Sequence, residues 1–113
     1  MKKPLYAEYI LERENSHYYE NDFGFVTYRD EGPSVYLVDM YIIPKYRKKG
    51  NCKKFVKYIE NIAKEWGKSQ IITSISLDGM GVEDSLQAIL CCGFKLVNVD
   101  ESTSMIYFIK GVI

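Results

Sequence analysis

The chain has 113 residues, with fifteen Lys and Arg against fifteen Asp and Glu, one His and three Cys. That length sets an expectation of one domain, residues 1–113, able to bury roughly two-thirds of the surface its unfolded chain exposes. Hydrophobic residues at 47% and charged residues at 27% exclude a disordered chain. Zero net charge excludes a whole-molecule attraction to nucleic acid or anionic lipid, and the longest apolar runs fall far short of a membrane span.

Residues 1–20 carry no apolar stretch of secretory type, so a cytoplasmic location is expected. Cys52, Cys91 and Cys92 make an odd set with a vicinal pair. That is a poor disulfide framework and lacks metal-ligand spacing, which suits a reducing compartment and predicts no metal site. His17 lies in a polar stretch and reads as a surface loop residue.

In chain order, Leu5 to Glu12 is rich in aromatic and branched residues and predicts a strand. Glu14-Asn15-Ser16 is a turn. Phe23 to Arg29 alternates Phe, Phe, Thr, Arg against Gly, Val, Tyr and predicts a second strand. Asp30 to Ser34 contains Gly-Pro turn chemistry. Val35 to Ile43 is apolar except for Asp39, predicting a central strand buried on both faces and ended by Pro44.

From 50 to 66 the apolar residues Cys52, Phe55, Val56, Ile59, Ile62, Ala63 and Trp66 recur at three- and four-residue spacing, with lysines opposite. This predicts an amphipathic helix stopped at Gly67. Ile71 to Leu77 reads as a strand and Val82 to Cys92 as a helix with Glu83 and Asp84 in its first turn. Gly93 ends that helix, and Phe94 to Val99 and Met105 to Ile109 are closing strands. The order β-β-β-loop-α-β-α-β-β predicts a mixed α/β fold. The strands flanking the long helix should be parallel, joined by a right-handed crossover, in an otherwise antiparallel sheet.

Charge is concentrated in one place. Seven basic residues and no acidic one lie between Lys45 and Lys57, which leaves eight basic against fifteen acidic elsewhere. A basic loop feeding a helix N-terminus offers unpaired N–H groups and the positive end of a dipole to an anion. Gly50 allows close backbone approach. On charge alone, the same stretch reads equally as a solvated helix face.

The segment Asp39-Met40-Tyr41-Ile42-Ile43-Pro44-Lys45-Tyr46-Arg47-Lys48-Lys49-Gly50-Asn51-Cys52 resembles the acetyl-CoA-binding motif of GNAT-superfamily N-acetyltransferases. Arg47, Gly50 and Cys52 fall on its fixed positions, Cys52 standing where Gly or Ala is usual. Gly93-Phe94 matches the pair ending the second helix in many members. The resemblance covers roughly residues 23–110.

It implies a compact GNAT-like domain with a parallel splayed strand pair and two helices, lacking the usual N-terminal helix pair. It implies acetyl-CoA as co-substrate and a bacterial or phage source. Backbone groups of Ile42 and Ile43 would meet the pantetheine arm, and the N–H groups of residues 47 to 52 (Arg47, Lys48, Lys49, Gly50, Asn51, Cys52) the pyrophosphate. Lys48, Lys49 and Lys53 would reach phosphate oxygens, and Ser85 would contact the cofactor where other members often use Asn.

Acetyl transfer to an amine needs a base, because an alkylammonium with a pKa near ~10.4 is almost fully protonated at neutral pH. Asp39 is the candidate. As the one charge in an apolar strand it should be partly desolvated, which would raise its pKa. It also reads as a residue holding a structural hydrogen bond or facing solvent at a bulge. Many members place an acidic Tyr four residues before Gly-Phe, where this chain has Ile89; Tyr41, Tyr107 and Cys91 are the alternatives, and nothing selects among them.

With no helix pair expected in residues 1–30, the acceptor side is either open or completed by a second copy of the chain. An open side suits a protein lysine or an N-terminal amine better than a small amine. A CoA-binding regulatory module without catalysis is the second reading. A nucleic-acid-binding domain is the third, disfavoured because no aromatic platform interleaves with the lysines of the helix.

Overall fold

The computed structural model describes residues 4–112; the domain expected over 1–113 extends at both ends beyond them. The chain opens with a helix, α1 (Leu5–Glu14), where a strand over Leu5 to Glu12 was expected. Pro4 sits at its N-cap, and its carbonyl accepts from the N–H groups of Ala7 and Glu8. Ala7 and Ile10, three apart, face inward, while Leu5, Tyr6, Tyr9 and Leu11 stay exposed. Leu, Ala and several Glu are good helix formers, and they outweigh the β preference of the tyrosines. Asn15 closes the helix in the left-handed region at φ 55°, as the expected turn requires. Among the described residues there are therefore three α-helices, not two, and one of them lies within residues 1–30.

Six strands form one sheet: β1 (Ser16–Asn21), β2 (Gly24–Glu31), β3 (Ser34–Ile42), β4 (Gln70–Ser76), β5 (Lys95–Asp100) and β6 (Met105–Gly111). Their spatial order is β1-β2-β3-β4-β6-β5. β1 falls in the polar stretch read as loop. His17 is on this strand, its ring stacked on Tyr28 at 5.3 Å and tilted against Trp66 at 5.0 Å, so it is a half-buried packing residue.

Between β3 and β4 runs α2 (Asn51–Glu65), and α3 (Val82–Cys91) follows β4. β3 and β4 are parallel and every other pair is antiparallel. Phe55, Val56, Ile59 and Ala63 of α2 pack with Val26, Tyr28, Val35, Leu37 and Ile71 of the sheet. Lys110 ties the layers together, its Nζ 2.9 Å from Glu60 on α2 and 2.6 Å from the carbonyl of Cys92 at the end of α3.

β3 is buried on both faces only at its start. Between β2 and β3 the register slips, Thr27 facing Asp39 but Tyr28 facing Leu37, so Val38 is an extra residue. This bulge reverses the side-chain parity. Val35 and Leu37 face α2, and beyond Val38 it is Met40 and Ile42 that pack on the core, while Asp39 and Tyr41 turn to the opposite, exposed face.

Gly24 fixes where that end of β3 lies. A Cβ there would stand 1.9 Å from the Tyr41 carbonyl oxygen, an atom that cannot move without the strand. Gly24→Ala should lower stability by about 3 kcal/mol, at the top of the overpacking range, read as a reduced urea midpoint with an unchanged slope.

Candidate cofactor cleft

Pairing between β3 and β4 stops at Leu37 and Thr73, although β3 continues to Ile42 and β4 to Ser76. The parting strands open a cleft of about 920 Å³ bounded by their parted ends, the loop before α2 and one side of α3 from Val82 to Cys91. It brings together Asp39, Ile42, Arg47, Lys48, Gly50, Asn51, Cys52, Lys53 and Ser85. Of the predicted site residues, Ile43 and Lys49 do not line it.

Ile43 has no backbone group to offer. Its N–H donates to the Phe23 carbonyl at 2.8 Å, and its carbonyl accepts from Tyr46 at 2.8 Å. In an antiparallel ladder, bonding alternates along the strand. With Ile43 facing β2, the groups of Met40 and Ile42 point toward the opening. The groups available to an extended ligand are thus those of Met40 and the N–H of Ile42, whose carbonyl is taken by Arg47 Nε at 2.8 Å, instead of the expected Ile42 and Ile43.

The loop is held from within. Arg47 Nε donates to the Ile42 carbonyl at 2.8 Å, its N–H is bonded to Pro44 at 3.2 Å, and its guanidinium lies 5.5 Å from the Tyr41 ring centroid. Arg47 therefore braces the loop, and the expected cradle of N–H groups begins after it. Asn51, 8% exposed, donates from Nδ2 to the Tyr46 carbonyl at 2.8 Å. Lys48 at φ 60° and Gly50 at φ 80° are both left-handed, a conformation that costs a non-glycine residue about 1–2 kcal/mol. Gly50 is the N-cap of α2, and no side chain caps the first turn. A Cβ on Gly50 would meet nothing within 4 Å, so the space beside these N–H groups is open.

Asp39 does not have the expected burial. It is exposed, on the face away from α2. Its N–H donates to Thr27 Oγ1 at 3.1 Å, and Thr27 Oγ1 lies 3.4 Å from Asp39 Oδ2 as a weak donor. The desolvation expected of it is therefore absent, because the bulge turns the carboxylate out of the core. Thr27, a buried partner of Asp39, was not singled out in the sequence, since only the hairpin register pairs them. Ser85 is the fourth residue of α3, exposed and on the cleft wall. Ser74 and Ser76 of β4 also line the cleft and were missed; their alternation with isoleucines was the available signal.

The Sγ atoms of Cys52 and Cys92 lie 3.6 Å apart. Burial, and then the neighbouring Cys52, push the Cys92 thiol up to about 12. Cys91 is exposed on the cleft side. Since the thiolate is the nucleophile, iodoacetamide at neutral pH should modify Cys91 in the native protein and reach Cys92 only on unfolding. Peptide mapping by mass spectrometry reads the difference. The folded Cys92 keeps its proton above the ordinary value of 9.0. Its contribution to stability is thus complete below pH 9 and is lost as the pH climbs toward 12.

The sequence profile of the acetyltransferase (GNAT) family matches residues 5–81. The chain belongs to the GNAT acetyltransferase family. Solved structures agree on the fold. An acetyltransferase from Bacillus subtilis in complex with CoA superposes with a TM-score of 0.72 at 16% identity, over 98% of this chain and 85% of that one. PaiA N-acetyltransferase from Thermoplasma acidophilum, in complex with coenzyme A, gives 0.74 at 18% identity, over 95% and 69%. Nourseothricin acetyltransferase gives 0.71 at 18%, over 87% of this chain and 66% of its own length. No curated protein sequence matches. At these identities the likeness is one of fold. Among the described residues no helix is long and apolar enough to cross a membrane.

In this GNAT chain, the position where many members carry a tyrosine is filled by Ile89, 6% exposed and part of the core. Of the three alternatives, Tyr41 and Cys91 line the cleft and Tyr107 does not. Tyr107 instead pairs with Ser74 across β4 and β6.

Proposed function

We propose that the protein transfers the acetyl group of acetyl-CoA to a primary amine. The observation that carries this reading is the parting of β3 from β4 in front of the uncapped first turn of α2. Strand groups that have lost their partner suit the amides of a pantetheine arm, and free N–H groups beside Gly50 suit a pyrophosphate. Lys48 and Lys53 flank that spot and add positive charge. The B. subtilis and T. acidophilum structures are complexes with CoA, which supports the same ligand here.

In the reaction, the neutral amine nitrogen attacks the acetyl carbonyl carbon, the C–N bond forms and the C–S bond breaks. The amine proton passes to Asp39, through water where the carboxylate is solvated. The departing thiolate takes a proton from solvent or from Tyr41 or Cys91 on the cleft wall, since Ile89 has none to give. Thr27 is a positioning residue that holds Asp39 where the strands separate.

Thermal shift with CoA, pantetheine and a short DNA duplex tests the binding half of this reading. Ligands of the native state raise Tm by mass action. CoA should stabilise the protein strongly, pantetheine weakly and the duplex not at all; stabilisation by the duplex alone would overturn the reading. Because Lys48 lines the cleft and Lys49 does not, Lys48→Ala should weaken CoA about 3–10-fold while leaving pantetheine unchanged. That is the loss of one charge-assisted contact near the surface. Lys49→Ala should match the wild type in the same titration.

A further inference from the structure

The sheet face away from α2 carries an unbroken row of rings. Tyr6 of α1 meets Tyr18 of β1 edge to face at 5.9 Å. Tyr18 stacks on Phe25 of β2 at 5.4 Å, and Phe25 on Tyr41 of β3 at 5.8 Å. The end rings are open to solvent, Tyr6 at 50% and Tyr41 at 44% exposure. Two carboxylates share the face. Glu20 stands opposite Phe25 and accepts from the Tyr18 hydroxyl, and Asp39 is two residues from Tyr41.

The stretch of chain that carries the first three of these rings is acidic where the cofactor loop is basic, although within it Asp30 is paired with Lys68 and Glu31 with Arg29. From Leu5 to Asp39 there are eight carboxylates and two arginines, whereas Lys45 to Lys57 holds seven cations and no carboxylate. Aromatic faces attract ammonium and guanidinium groups, and the methylene stems of lysines lie well along rings. Arg47, over Tyr41, marks where the acidic side ends.

We infer that this row is the docking surface for a cationic, lysine-bearing polypeptide segment, which lies across Tyr6, Tyr18, Phe25 and Tyr41 and presents a lysine amine at Asp39. The inference rests on the proposed amine acetylation and names its acceptor. A polypeptide fits better than a small amine because the row crosses three strands and a helix. It has no enclosing wall, so a small molecule would touch one or two rings and leave the rest to water. Charge complementarity supplies the choice of a basic segment and speeds its encounter.

The test is fluorescence anisotropy of a short labelled lysine-glycine peptide with the CoA-loaded protein, run beside a glutamate-glycine peptide and with CoA affinity measured on each sample. The lysine peptide should bind, weaken as salt rises, and weaken about 10-fold or more in a Tyr6→Ala, Tyr18→Ala double variant that still binds CoA, since neither ring lines the cofactor cleft. The glutamate peptide should not bind. Equal binding to wild type and variant, or binding of both peptides alike, overturns the docking surface. Displacement of the peptide by spermidine at similar concentration overturns the polypeptide in favour of a small polyamine. A dimer in sedimentation that dissociates in the double variant overturns it in favour of a second copy of the chain. Failure of the wild-type protein to bind the lysine peptide while it binds CoA defeats this inference alone, whereas failure of the wild-type protein to bind CoA defeats the proposed function.

Discussion

Gly50→Glu is expected to lower CoA affinity by about 10²-fold or more, and Gly50→Ala to leave it nearly unchanged. Two effects separate the variants. Any side chain at φ 80° is strained by about 1–2 kcal/mol, but that strain exists with and without ligand and so lowers stability rather than affinity. Both variants should therefore lose a similar amount of Tm. The glutamate alone adds a negative charge at the mouth of the cleft. At about 6 Å from one phosphate charge and an effective dielectric near 20, the repulsion is roughly 3 kcal/mol, and a pyrophosphate carries more than one charge. No protein atom lies within 4 Å of the added Cβ, so a steric clash inside the protein does not confuse the result. Calorimetric titration of both variants checks it; equal affinities for Glu and Ala would remove the phosphates from this loop.

Asp39→Asn is expected to lower turnover by about 10²-fold with little change in acetyl-CoA affinity. General bases contribute roughly 10²–10⁴-fold, and the lower end applies because Asp39 is exposed and works partly through water. The residual rate should climb with pH, since more of the amine is already neutral when it arrives. Thr27 keeps a partner in the variant, because the Asp39 N–H bond to Thr27 Oγ1 is a backbone one. Stability should thus fall little, and turnover per folded molecule is the quantity to measure. A variant with wild-type turnover and an unchanged pH profile would take Asp39 out of the mechanism.

The elements that were legible in the sequence are those with a strong period or sharp punctuation. α2 repeats its apolar residues over four turns and stops at Gly67, and β3 is bounded by the Gly32-Pro33 turn and Pro44; both lie within about a residue of the expected limits. α1 was misread because its exposed Leu5, Tyr6 and Tyr9 look like strand residues when burial is unknown. β1 was missed because an edge strand with one half-covered face can be polar.

At the site, the position of the loop was legible because Pro44 ends β3 and Gly50 precedes the amphipathic repeat of α2. The bulge was not. One extra residue, Val38, leaves no compositional trace, yet it turns Asp39 from the core to solvent and moves the available strand groups to Met40 and Ile42. Register decides both, and register is a property of two strands together.

The most direct test of acetyl transfer is to incubate the protein with acetyl-CoA and a lysine-containing peptide, following free CoA thiol and peptide mass in the same reaction. Acetyl transfer predicts one acetylated amine for each thiol released, at a rate that collapses in Asp39→Asn and Gly50→Glu. Tight CoA binding with neither thiol release nor peptide acetylation would contradict it and leave a CoA-binding protein without catalysis.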